Sequence, residues 1–109
     1  MDNKEELLKQ QLQELQSSYR QELPQRLAEI KALWQKLTTH WSQPSLTTLS
    51  TCLHRISGSA GSFGYPDLGA CAANAEQLLK PYTNTASIPD SSQQQTMTTA
   101  MQQVFHYRY

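Results

Sequence analysis

The chain has 109 residues, nine Lys and Arg against nine Asp and Glu, and a formal net charge of +0. That length holds one hydrophobic core and not two, and the charge balance argues against nucleic acid or an anionic membrane surface as a partner. No apolar run approaches the ~20 residues of a membrane span. The amino terminus, with Asp2, Lys4, Glu5 and Glu6, has no apolar signal-peptide stretch, so a cytoplasmic protein is expected. Cys52 and Cys71 sit in no CxxC or His-rich cluster. They read as small buried hydrophobes of a reducing compartment and not as a disulfide framework.

In chain order, residues 3–17 carry Leu8, Leu12 and Leu15 at helical spacing among Gln, Glu and Lys. The spacing predicts an amphipathic amino-terminal helix over 1–17 that is a cap on the fold, the end of a linker, or a short coiled-coil seam. Ser17 and Ser18 offer N-cap oxygens to a second helix, in which Tyr19, Leu23, Leu27, Ile30, Trp34 and Leu37 share one face. Pro24 lies inside that stripe and predicts a bend without a break. Residues 38–44 connect onward. Pro44 implies an extended or turn conformation, and Ser45 starts the next helix.

The third helix carries apolar residues at 46, 49, 53, 56, 60 and 63, the three-then-four spacing of a core-facing stripe. At about 100° per residue, His54 falls roughly 130° from the centre of that stripe and points to solvent. Its helical neighbours, Ser50, Thr51, Ser57, Gly58 and Gly61, are all small. Two helical glycines cost about 0.8–1 kcal/mol each relative to Ala, so Gly58 and Gly61 require a reason. Either they admit a neighbouring helix, or they floor an open patch where another molecule's backbone or a phosphoryl group approaches the imidazole.

Gly64 is a left-handed terminator, and Tyr65-Pro66-Asp67 opens a fourth helix with its proline in the first turn. Leu68, Cys71, Ala72, Ala75 and Leu79 are its apolar stripe, and Pro81 ends it. Residues 82–92 are polar and turn-rich. Ile88 and Asp90 then staple and cap a last helix whose Met97, Met101, Val104 and Phe105 face the core. No stretch alternates with period two. The expected fold is all-α: an antiparallel up-and-down four-helix bundle over 18–109 with the amino-terminal helix added. His40 and His106 have no flanking constellation and receive no chemistry.

The run His54-Arg55-Ile56-Ser57-Gly58, continued by small residues to Phe63-Gly64, resembles the phosphoacceptor motif of histidine-containing phosphotransfer (HPt) domains. That motif reads His, Arg or Lys, an aliphatic, Lys, Gly, small residues and a second hydrophobic-Gly pair. The resemblance covers about residues 19–105, and Glu22-Leu23-Pro24 is similar to a proline feature of the family's corresponding helix. It implies a phosphocarrier without a nucleotide site of its own. His54 would accept a phosphoryl group from a receiver-domain aspartate and pass it to another receiver, with Mg²⁺ held by the receiver and no cofactor or metal on this chain. The chain indeed lacks GxGxxG, GxxxxGK[ST] and DFG patterns. A neutral imidazole is a competent nucleophile near pH 7.

Glu76 matches the family's Glu or Gln that hydrogen-bonds the active ring, and it reads equally as a solvated charge. The docking patch would comprise Ser50, Arg55, Ser57, Gly58 and Gly61, with Ser59 and Ser62 adding weaker contacts. Ser57 departs from the family, which usually has Lys there to reach phosphoryl oxygens. Arg55 compensates only by curling back around the helix. The alternatives are a helical adaptor that docks receivers or other helices without phosphotransfer, and a coiled-coil module built on residues 3–37. A monomer is expected.

Overall fold

The structure is a computed structural model that describes residues 3–85 and 87–107; the outermost residues of the two expected segments, 1–2 and 108–109, lie outside it. Four α-helices follow in order: α1 Asn3–Thr39, α2 Gln43–Ser59, α3 Pro66–Leu79 and α4 Ser91–Phe105, with a 3₁₀ turn Lys80–Tyr82 between the last two. Short connections turn α1 into α2 and α2 into α3, and each helix packs on the next while α4 returns to α1. The result is an antiparallel four-helix bundle.

The expected separate helix over 1–17 is instead the first part of α1, which runs unbroken from Asn3 through Ser17 and Ser18 to Thr39. The segment holds no Gly, and its Leu, Gln, Glu, Lys and Ala are strong helix formers, so two serines do not interrupt it. Pro24 does not break the helix either. It is exposed while Leu23 and Leu27 are buried, so the carbonyl that loses its amide partner has access to water.

The predicted apolar faces are the core. Tyr19, Leu23, Leu27, Ile30, Trp34 and Leu37 of α1 meet Leu46, Leu49, Leu53 and Ile56 of α2, Leu68, Ala72, Ala75 and Leu79 of α3, and Met97, Met101 and Val104 of α4. Three expectations change. Cys52 and Cys71 are free but only half-buried, because each stands at the flank of its stripe. Helix α2 starts at Gln43, two residues before Ser45: Ser42 is its N-cap, its Oγ accepting from Ser45 N at 3.3 Å, and Pro44 occupies the first turn, where a missing amide costs nothing. Asp90 caps α4 in a reciprocal box with Gln93, but Ile88 is 64% exposed and staples nothing; buried Pro89 holds the position before the cap instead.

The α2–α3 turn positions the surface around His54. Tyr65 N donates to Ala60 O at 2.7 Å and Gly64 N to Gly61 O at 3.3 Å, the paired bonds of a Schellman terminator. Gly64 sits at φ 96°. Tyr19 anchors the turn to α1, stacking on Phe63 at 4.6 Å and sharing a 3.0 Å hydroxyl bond with Ser59. Because a left-handed backbone costs a non-glycine residue about 1–2 kcal/mol, Gly64→Ala should lower unfolding free energy by that amount in urea titration, with the helical signal of the folded state unchanged.

Candidate functional site

His54 stands on α2 with its side chain 73% exposed, and its Nδ1 lies 2.9 Å from Glu76 Oε2 of α3, whose side chain is 17% exposed. The contact joins a ring in solvent to a carboxylate set in the interhelical groove. An ionised carboxylate only accepts hydrogen bonds, so in a neutral imidazole this contact is made by an Nδ1–H, the tautomer that leaves the Nε2 lone pair free.

That approach depends on how closely α3 packs on α2. A Cβ built on Gly69 meets Ser57 O at 3.3 Å and Gly61 N at 3.5 Å, so Gly69 is where the two backbones come together. Gly58 and Gly61 face the other way: a Cβ on either meets nothing within 4 Å. Of the two readings of these glycines, the open floor beside the ring agrees with the space around them, and helix approach falls to Gly69.

The hydroxyls and cations divide unevenly. Ser50 and Ser57 are half-buried on the flank of α2 that faces α3. Ser57 Oγ donates to His54 O at 2.8 Å, so its proton is committed to the helix backbone. Ser59 turns the opposite way, donating to Arg55 O at 2.8 Å and meeting Tyr19, and does not join the His54 patch. Arg55 also lies on the far flank, lining an open groove of about 430 Å³ between α1 and α2 with Glu22, Arg26, Glu29 and Cys52. The sequence left open whether its side chain curls back; in the structure it stays with α1. Ser62 is exposed beyond the helix end.

Two residues at this site were not singled out from the sequence. Gly69 is one, visible only as part of the small-residue run 69–73. Lys80 is the other. Glu76 is abreast of His54, and Gln43 Nε2 donates to Thr83 O at 2.7 Å, so Lys80 falls abreast of the turn of α2 that precedes His54. It is exposed and one turn beyond Glu76. Among the described residues no group of three or more His, Cys, Asp or Glu converges as a metal site.

The site is an exposed imidazole beside a carboxylate, surrounded by small residues on a helical bundle: an open surface and not an enclosed pocket. The chain belongs to the Hpt domain family, whose model matches residues 14–106. Neither a curated protein nor a solved structure gives a match. Membership carries a histidine phosphotransfer role in two-component signalling, with receiver domains as the interacting class, and places the chain among phosphocarriers and not among enzymes with a catalytic site of their own. No described helix is long and apolar enough to cross a membrane.

The ring's tautomer is directly measurable. In the parent, long-range ¹H–¹⁵N spectra at alkaline pH should report a protonated Nδ1 and a bare Nε2 for His54. Glu76→Ala should shift the population toward the Nε2–H form that free imidazoles favour, with the helical signal retained.

Proposed function

We propose that His54 is the phosphoacceptor of a phosphorelay, taking a phosphoryl group from a receiver-domain aspartyl phosphate and passing it to a second receiver. The observation that supports this most strongly is the 2.9 Å contact between His54 Nδ1 and Glu76. In the forward step the Nε2 lone pair attacks phosphorus, the N–P bond forms, and the acyl-phosphate P–O bond breaks with its electron pair returning to the aspartate. Positive charge develops on the imidazole as the bond forms. Glu76 offsets that charge through the Nδ1–H bond. The receiver's Mg²⁺ supplies charge stabilisation at the phosphoryl oxygens, and the floor at Gly58 and Gly61 leaves room for the receiver to reach the ring.

The missing Lys at position 57 gives the site a distinctive electrostatic balance. Ser57 brings no charge, and its hydroxyl is engaged with the His54 carbonyl. Arg55 belongs to the α1–α2 groove. We assign the phosphate-facing cation to Lys80, an exposed residue in the 3₁₀ turn four positions beyond Glu76. The alternative reading, an adaptor that docks receivers without transfer, corresponds to a chain whose His54 accepts no phosphoryl group.

Incubation with a radiolabelled phosphoreceiver tests the proposal. The parent should acquire acid-labile label, and His54→Gln should acquire none while unfolding at nearly the same temperature, because the ring lies off the core. Label on His54→Gln, or none on the parent, refutes the carrier. In the same assay the His54–receiver partition should shift toward the receiver in Lys80→Ala and toward phosphohistidine in Ser57→Lys, since charge-assisted hydrogen bonds are about twice as strong as neutral ones. A partition unchanged in both variants would mean that neither position governs the charge at the phosphoryl group.

A further inference from the structure

The amino-terminal part of α1 extends beyond the bundle. Residues 3–18 contain no buried side chain, and the core stripe begins only at Tyr19. Over roughly 24 Å of helix, Leu7, Leu8, Leu12 and Leu15 are 51 to 64% exposed. Leu8, Leu12 and Leu15 are spaced four and three apart and lead, after four more residues, into Tyr19. The core stripe of α1 thus continues along a rod that nothing in the bundle covers. The family match begins at residue 14, so most of the rod is additional to the domain.

We propose that this rod pairs antiparallel with the same segment of a second copy, Leu8 packing beside Leu15 of the other chain on both sides of a two-fold axis that passes near Leu12. The charges favour this occupant and this direction. Glu5 and Glu6 lie near one end of the segment and Arg20 at the other, on the same flank of the stripe. An antiparallel pair brings the flank of one helix against the same flank of the other, setting Glu5 and Glu6 within about one turn of the second copy's Arg20, twice by symmetry. A parallel pair in register instead opposes Lys4 to Lys9 across the seam, stacks Glu5 on Glu5, and crowds the two bundles at one end. In the antiparallel pair the bundles lie at opposite ends, leaving both His54 surfaces open.

A helix pair this short buries less than the ~1,200–2,000 Å² of a standard stable interface. The proposed dimer is therefore weak and concentration-dependent, with the monomer expected from the sequence prevailing at low concentration.

Sedimentation equilibrium of the full chain, from about 5 to about 500 µM to bracket the affinity of a small interface, reads the association. The average mass should climb from 12.4 kDa toward twice that value. Leu12→Lys should hold the mass at the monomer value throughout while the bundle's thermal unfolding is retained. Arg20→Glu should weaken dimerisation roughly three- to tenfold, the scale of two exposed ion pairs, and adding Glu5→Lys and Glu6→Lys to it should restore the parent affinity. A monomer mass in the parent at every concentration overturns the proposal, as does a dimer indifferent to Leu12→Lys. A dimer indifferent to Arg20→Glu overturns the antiparallel arrangement.

Discussion

The close approach of α3 to α2 is the constraint on which the His54 surface depends. Gly69 lets the two backbones meet near Ser57 and Gly61, and that separation allows a glutamate on one helix to reach the imidazole on the other at 2.9 Å. The Schellman turn through Gly64 and the Tyr19–Phe63 stack hold the far end of the same helix pair. An exposed ring on an isolated helix samples several rotamers and either tautomer. Here a carboxylate in the groove limits both, and orientation is what a carrier would have to supply if, as proposed, its partner brings the metal and most of the charge.

The same geometry makes the site electrostatically sparse. The ring is flanked by small residues, the neighbouring hydroxyl is tied to the backbone, and the adjacent arginine serves another groove. On the proposed reading, charge for a phosphoryl group would come from Lys80 or from the docking partner. Such a balance would suit a carrier, because a phosphohistidine held too firmly would not be passed on.

Much of this was legible in the sequence. The four core stripes, the solvent-facing His54, the Gly64 terminator and the Asp90 cap follow from local periodicity and capping chemistry, which act within a few residues. Glu76 was recognisable by resemblance alone; its contact with the ring depends on the packing of two helices. Gly69 was missed for the same reason, since which residue of α3 lies abreast of which residue of α2 is set by tertiary packing and by no local signal. The division of α1 at Ser17 and Ser18 failed because cap-forming residues also occur inside helices whose neighbours are strong helix formers. Ser42 was passed over as a cap because Pro44 was read as preceding the helix, when proline is equally at home in a first turn.

The central claim is that Glu76 holds the Nδ1 proton so that Nε2 is the reacting atom. ³¹P and ¹⁵N NMR of the chain phosphorylated by a receiver locates the N–P bond directly. The account predicts Nε2-phosphohistidine at position 54 with Nδ1 still protonated; a phosphoryl group on Nδ1, or on any other residue, would contradict it.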